Sequence, residues 1–217
     1  MKNKILVLIL IIFAFAYKDT INAQNYGLAA RVSTRGFGLD IMRSFGSQFN
    51  VRLGAAYFGL KPDGGGENDD YKYSADIKLL SAVLLADYFP FDNGIRLTFG
   101  GIINLNQSDI DLVPTKSYTV GGDTYDPESL GVLSANVKFN RFAPYIGLGF
   151  GNPLVGESNI QFTFDVGTMY QGGATVDLSA TGLLAPSAAP DQEQQLEDNL
   201  SWFKWYPVVS FAIVYKF

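Results

Sequence analysis

The sequence predicts an all-β protein, an antiparallel up-and-down β-barrel that crosses a membrane. In the final segment, apolar side chains recur at every second residue up to a terminal aromatic residue (Trp205, Val209, Phe211, Ile213, Tyr215 and Phe217). Such alternation is typical of a strand with one face in lipid. Hydrophobic residues make up 47% of the chain, yet after the first segment no run approaches the roughly 20 apolar residues of a membrane helix. The chain is therefore expected to cross the membrane with strands.

Residues 1–23 are predicted to be a secretory signal peptide. Lys2 and Lys4 precede an apolar run of about a dozen residues, which is too short to span a bilayer as a helix, and a possible cleavage site ends at Ala23. A retained N-terminal anchor is the alternative. Residues 24–217 are then expected to form one barrel domain.

Alternation and turn residues divide this domain into about ten predicted strands. They lie near 26–34, 36–45, 49–58, 73–89, 95–106, 130–139, 143–151, 159–170, 174–182 and 206–217. Eight strands are the alternative, if 130–151 is one bent strand and 174–182 belongs to a loop. Segments of about ten residues suit tilted membrane-crossing strands.

The predicted connections differ in length at the two ends of the barrel. Short turns are expected at 46–48, 90–94, 140–142 and 171–173, and if both termini are periplasmic, all four turns fall on the periplasmic side. Long acidic stretches at 59–72 and 107–129 are expected on the opposite side. One of the outer loops is predicted to hold a short helix near 191–203, because Leu196, Leu200 and Phe203 recur at helical spacing after two prolines.

Charged side chains on the second face of the strands predict a polar interior. This predicted lumen charge network comprises Arg31, Asp40, Arg52, Asp87, Arg96, Lys138, Asp165, Asp177 and Lys216. Both signs occur in similar number, so the side chains are expected to pair inside a narrow lumen. A soluble lipocalin-like barrel, with apolar residues inside, is the alternative. Aromatic residues gathered at strand ends favour the membrane barrel, since they match an interfacial girdle.

Two short motifs resemble those of the small outer-membrane β-barrel family that includes OmpA-like and opacity-like proteins. They are the strand motif of Pro144, Tyr145, Gly147 and Gly149 and the terminal pair Tyr215 and Phe217. The resemblance implies the outer membrane of a Gram-negative bacterium, with outer-membrane lipid and the barrel-assembly machinery as partners. It also implies that Phe211, Ile213, Tyr215 and Phe217 form the C-terminal assembly signal. The predicted extra hairpin and the helix depart from the family's eight-stranded members.

The amino-acid composition argues against several classes of function. The chain has no His and no Cys, which removes the commonest general base, a common metal ligand and the thiolate, so no enzyme, metal or cofactor is expected. The net charge of −5 argues against a nucleic-acid partner. The acidic cluster at 63–70 lacks the ligand spacing of a calcium loop and is interpreted as a solvated loop.

The leading hypothesis is a structural or surface-interaction barrel whose loops contact an extracellular ligand and whose lumen is mostly filled by charged pairs. A narrow channel for small solutes or ions is the second hypothesis, and a barrel enzyme is a distant third.

Overall fold

The computed structural model describes residues 25–66, 69–91, 94–120 and 122–217. The predicted signal peptide therefore lies outside the described residues. The strands are β1 (Tyr26–Ser33), β2 (Gly36–Ser44), β3 (Phe49–Leu60), β4 (Asp63–Gly64), β5 (Tyr71–Tyr88), β6 (Ile95–Asn104), β7 (Gln107–Pro114), β8 (Tyr118–Val120), β9 (Asp123–Tyr125), β10 (Leu133–Lys138), β11 (Phe142–Phe150), β12 (Ile160–Tyr170), β13 (Thr175–Ala180) and β14 (Trp205–Lys216). The helices are α1 (Pro127–Leu130) and α2 (Pro190–Asn199), with 3-10 helices at Gly182–Ala188 and Ser201–Lys204. None of the described helices is both long and apolar enough to span a bilayer.

Eight antiparallel strands close the barrel, which confirms the predicted fold class. Around the wall they follow the order β1, β2, β3, β5, β6, β11, β12 and β14. The last strand then pairs with the first, with Gly27 opposite Lys216 and Ser33 opposite Ser210. Closure pairs the backbone groups of every wall strand, which a sheet in lipid requires.

Of the two predicted strand counts, the structure has eight because two predicted turns are interruptions within strands. Leu133 lies opposite Leu112 and Phe142 lies opposite Ile103, so β10 and β11 keep one register against the continuous line of β6 and β7. The predicted turn at 140–142 is therefore wrong, and 130–151 is one bent strand, as the alternative had it.

The predicted turn at 171–173 is wrong for the same reason. Strand β13 continues the line of β12 but is shifted by one residue against its neighbour, since Tyr145 pairs with Met169 whereas Leu133 pairs with Ala180. Gly172 lies within the break at φ +74°, a conformation that favours glycine. Between these pairings the β10–β11 side has one residue more, since Lys138 pairs with Thr175, and such an irregular break with a glycine is easily taken for a hairpin turn in the sequence.

Four neighbouring wall strands continue beyond the barrel as a second structural unit. Residues 71–78 of β5 pair with β7, which pairs with β10, which pairs with β13. We call these four segments, together with the short β4 beside β5, the outer sheet. It projects from the end of the barrel opposite the two termini. Helix α2, which confirms the helix predicted near 191–203, packs along β13 at the edge of this sheet.

Candidate functional sites in the barrel interior and the outer sheet

Six of the nine predicted network residues converge inside the barrel. They are Arg31, Asp40, Arg52, Asp87, Arg96 and Asp165, and all are buried. They belong to six different strands (β1, β2, β3, β5, β6 and β12). Because alternate side chains of each strand point to opposite faces, the closed wall directs these charges into one narrow space.

Two guanidinium groups and two carboxylates form the centre of this cluster. Arg52 Nη2 lies 2.8 Å from Asp87 Oδ1 and 3.3 Å from Asp165 Oδ1. Arg96 Nη2 lies 2.8 Å from Asp165 Oδ1, and the Thr98 hydroxyl donates to Asp87 Oδ1 at 2.6 Å. Arg31 and Asp40 form a separate ion pair beside them. Each of these six buried charges therefore has a partner of opposite sign, as a low-dielectric interior requires.

Two inward-facing glycines provide the space that the charged side chains occupy. A Cβ atom at Gly54 would overlap the carboxylate of Asp40, and one at Gly149 would lie 2.5 Å from Arg96 Nε. The sequence contains 23 glycines, but it does not by itself indicate which charge each one accommodates.

Apolar clusters lie on both sides of the charges. On the side of the termini the cluster contains Ala29, Met42, Leu154, Ala212 and Val214. On the side of the outer sheet it contains Val83, Leu85, Ile102, Ala143, Tyr145, Met169 and Val208, with Tyr206 packed against it. Leu154 comes from the connection after β11, which folds in at the terminal end. The lumen is thus filled by an apolar layer, a charged layer and a second apolar layer.

The remaining three network residues lie elsewhere. Lys138 and Asp177 were predicted in the lumen, but they lie on β10 and β13 of the outer sheet, 50% and 68% exposed, with Lys138 Nζ 3.9 Å from Asp177 Oδ2. That part of the prediction is wrong. Lys216 is buried near the terminal end, where its ammonium donates to the carbonyl of Gly156 and not to the Arg/Asp cluster.

A buried cation was missed by sequence reasoning. Arg35 lies in the turn between β1 and β2, and yet it is 2% exposed and donates from Nη1 to the Ser81 hydroxyl at 2.9 Å. A residue's place in a turn does not show where its side chain points.

The outer face of the barrel is apolar and exposed, as lipid contact requires. Phe211, Ile213, Tyr215 and Phe217, the predicted assembly signal, are each about half exposed on the outward face of the final strand. The Phe211 ring stacks on Phe162 with centroids 5.9 Å apart, and the Phe217 backbone N–H donates to the Tyr26 carbonyl at 3.1 Å. These residues therefore lie on the seam where the barrel closes.

In the outer sheet the polarity of both faces is reversed. Leu80 of β5 is apolar and lies on the lipid-facing side of the barrel. The next two residues on the same side of this strand, Lys78 and Asp76, lie in the outer sheet and are charged, with their Nζ and Oδ2 atoms 2.9 Å apart. The hydrogen bond from Lys78 holds the pKa of the Asp76 carboxyl below its usual value. On the inward side, Ile77 and Ala75 continue the line that carries Ser81 and Asp87 inside the barrel. This reversal marks the level at which lipid gives way to water.

An apolar cavity lies between the inward face of the outer sheet and helix α2. We call it the outer cavity. Its volume is about 710 Å³, and its walls include Ile110, Ala135, Val176, Leu178, Leu196 and Leu200. The helix is held beside it by two carboxylates, since Glu193 and Glu197 accept hydrogen bonds from the backbone N–H groups of Leu178 (2.8 Å) and Val176 (3.0 Å).

Comparison with known proteins supports the fold. No protein-family model and no curated protein sequence matches this chain. Among solved structures it is similar to CarO2 of Acinetobacter baumannii, with a TM-score of 0.61 and 23% identity over 88% of this chain and 98% of that one. It is also similar to CarO of the same bacterium, with a TM-score of 0.59 and 20% identity over 88% and 97%. A major outer membrane protein from Thermus thermophilus matches at a TM-score of 0.46 and 14% identity over 88% and 98%.

The chain has the fold of an outer-membrane β-barrel. The predicted location, the outer membrane of a Gram-negative bacterium, agrees with this fold and with the lipid-facing exterior. Among the described residues, no group of three or more acidic side chains is placed to hold a metal ion.

Proposed function

We propose that this outer-membrane barrel has a structural or surface-interaction role and does not work as a channel. The observation that carries the proposal is the filled lumen. Barrels of eight strands have interiors just wide enough for side chains. Here the Arg52, Asp87, Arg96 and Asp165 cluster occupies the middle, with an apolar cluster on each side.

The outer sheet supports the interaction role. It carries the barrel wall beyond the membrane level and presents a polar face, an apolar face and a cavity of about 710 Å³. Sites of about 300–1,000 Å³ with mostly apolar walls are typical of small-molecule binding. An extracellular ligand would therefore bind to the outer sheet and its connections, with the barrel as the membrane anchor.

The proposal includes two finer points that the resemblance implies. Membership in the OmpA-like or opacity-like family is supported by the eight-stranded barrel and by Pro144 and Tyr145 at the start of β11. Recognition by the barrel-assembly machinery is supported by the position of Phe217 at the barrel seam. A catalytic role is not part of the proposal, because a serine nucleophile in a chain without His would lack its usual base.

Single-barrel conductance tests the closed lumen. The purified protein, reconstituted in planar bilayers, is expected to give no steady conductance, because an ion would have to displace paired charges that fill the bore. Insertion is checked separately by flotation of the same protein with lipid vesicles. A stable, ion-selective current from the unmodified protein would overturn the proposal and support the channel hypothesis.

A further inference from the structure

We propose that the outer cavity binds an uncharged long-chain amphiphile, such as a fatty alcohol or a monoacylglycerol, taken up from the aqueous side. This inference rests on the proposed function, because a sealed barrel with a surface-interaction role leaves ligand binding to the outer sheet.

The cavity has two apolar walls of different origin. The first is the inward face of β7, β10 and β13, where Ile110, Ala135 and Leu178 lie side by side in register. The second is helix α2, which contributes Leu196 and Leu200. Water in such a space gains few hydrogen-bonding partners, so an apolar ligand that displaces it is favoured.

Aromatic rings form the end of the cavity nearest the barrel. The rings of Phe139 and Phe203 both line the cavity, and they meet edge to face with centroids 5.8 Å apart. Phe203 also contacts Tyr206, which packs on the apolar cluster of the lumen. The cavity therefore ends at the apolar cluster of the lumen that lies on the side of the outer sheet, and a ligand would extend no further toward the barrel.

The charge distribution selects an uncharged ligand. The side chains that line the outer cavity are apolar or neutral, and the polar ones are Ser108, Ser187, Gln192, Gln195 and Asn199. The charges of the outer sheet lie on its other face, as in the Asp76–Lys78 pair. The helix carboxylates nearest the cavity, Glu193 and Glu197, are already bonded to the backbone of β13. A charged head group would find no ion partner, whereas a hydroxyl or ester group would find neutral donors and acceptors.

The shape of the apolar surface selects a long chain. A second cavity of about 490 Å³, nearer the tip of the outer sheet, shares Leu112 and Leu133 with the outer cavity. Together they follow β7 from Ser108 to Pro114, a path of about 20 Å at roughly 3.3 Å per residue. Asp70, which borders the second cavity, is paired with Lys116 at 2.8 Å. An extended hydrocarbon chain matches this trough better than a compact ring system.

The position of the outer cavity indicates that the ligand reaches it from water and not from the bilayer. It lies on the inward face of the outer sheet, while the outward face above the membrane is polar (Asp109 accepts from Gln107, and Asp111 accepts from Ser134). The sheet therefore lies between the cavity and the bilayer on this side, and the ligand is expected to enter from water.

Photolabelling in nanodiscs tests the proposal. The full mature protein is supplied with hexadecanol that carries a diazirine near the chain end, delivered on albumin, and the labelled residues are mapped by mass spectrometry. We expect labels on β10, β13 and α2, lost when unlabelled monopalmitoylglycerol is in excess. Hexadecanoic acid with the same diazirine is expected to label these segments at least tenfold less. Labels confined to the lipid-facing side chains of the barrel would overturn the proposal.

Two matched pairs of variants locate the site. Ala135→Trp fills the cavity and is expected to reduce labelling of β13 and α2 at least tenfold, whereas Ser179→Trp, on the opposite face of the same sheet, leaves it unchanged. Leu196→Lys places a cation in the cavity and is expected to reverse the preference toward the acid. Gln194→Lys, on a side of α2 away from the cavity, is expected to keep the preference for the alcohol. If both lysine variants behave alike, the selection by charge is wrong.

The source is tested by changing the delivery. The diazirine alcohol incorporated beforehand into the nanodisc bilayer is expected to label the barrel exterior and to spare the cavity. Equal labelling of the cavity by both routes would overturn uptake from water. Conductance is measured separately, so the two proposals can fail independently. If the protein gives no conductance and no labels in the cavity, this inference alone is rejected. If the cavity is labelled but the protein conducts ions, only the closed lumen is rejected.

Discussion

Arg52 and Asp165, 113 residues apart in the chain, meet inside the barrel with Nη2 and Oδ1 3.3 Å apart. The same nitrogen lies 2.8 Å from Asp87 Oδ1. One guanidinium group thus links β3 to β5 and β12 across the lumen. Such a link forms only once the barrel has closed, so it stabilises the closed wall and occupies the path that an ion would need.

Removing the cation should destabilise the barrel before it opens a pore. In Arg52→Met, Asp87 and Asp165 lose a shared partner in a buried site, and the free energy of unfolding should fall by about 3–5 kcal/mol. Denaturant unfolding of the protein in lipid vesicles measures this. Arg141→Met, at an exposed position between β10 and β11, is the control and should change little. Unchanged stability of Arg52→Met together with a new steady conductance would contradict the structural role of the cluster.

The sequence predicted the barrel because period-two alternation is a local property that each strand carries by itself. The strand count was harder, since Asn140 and Gly172 look the same in sequence whether they end a strand or interrupt one. What distinguishes the two cases is pairing with distant residues, as where the Asn140 backbone N–H donates to the Gln171 carbonyl at 3.0 Å. Local turn signals hold no information on such a contact.

The direction in which a charged side chain points, into the barrel or away from it, was predictable only where the solvent around the strand was known to be lipid or water. Charges point inward in lipid, so Arg52, Asp87, Arg96 and Asp165 were assigned to the interior. The same rule failed for Lys138 and Asp177, because the outer sheet lies in water and its charged face is the outward one. Alternation shows that two faces differ, but it does not show which solvent each face meets.

The edge of the outer sheet should depend on two glutamates of α2. Glu193 and Glu197 are one helical turn apart, about 6 Å along the axis, and Leu178 and Val176 are two strand residues apart, about 6.6 Å. Because the two spacings match, the two glutamate carboxylates of one helix accept hydrogen bonds from both N–H groups at the edge of the sheet. In the Glu193→Ala/Glu197→Ala double variant, amide exchange at Val176 and Leu178 should accelerate about fivefold, since each lost hydrogen bond contributes about 1 kcal/mol. Gln194→Ala is the control, and equal exchange rates in both variants would show that the contacts do not hold the edge.

Protease accessibility should report the orientation. With the termini in the periplasm, proteinase K added to intact cells should cut the connections at 61–70 and 115–132, which extend from the outer sheet. The turn at 45–48, on the side of the termini, should be spared until the outer membrane is permeabilised. Cuts confined to that turn in intact cells would reverse the assigned orientation.

Deletion of Phe217 should impair assembly more than it impairs the finished barrel. Its N–H donates to Tyr26 at the seam, and its ring packs edge-on to Tyr215 with centroids 5.4 Å apart. The amount of protein in the outer membrane should fall, while refolding of the purified variant into lipid vesicles should change little. Phe37→Ala, which removes an exposed outward ring on β2, is the control. Equal membrane levels of the deletion variant and the wild type would argue against an assembly role for the terminal residue.

The reversal of polarity along β6 and β7 predicts where the bilayer ends. Phe99, Ile103 and Val113 all point outward on this line, and each is 40–49% exposed. Arginine at the middle of a lipid-facing strand costs about 2–4 kcal/mol, and near the interface about 0–1 kcal/mol. The loss of unfolding free energy in lipid vesicles should therefore be large for Phe99→Arg, small for Ile103→Arg and near zero for Val113→Arg, because the outward face of β7 carries Asp109 and Asp111 in water. Equal losses at Phe99 and Val113 would mean that both side chains meet the same medium, and the outer sheet would then lie within the membrane.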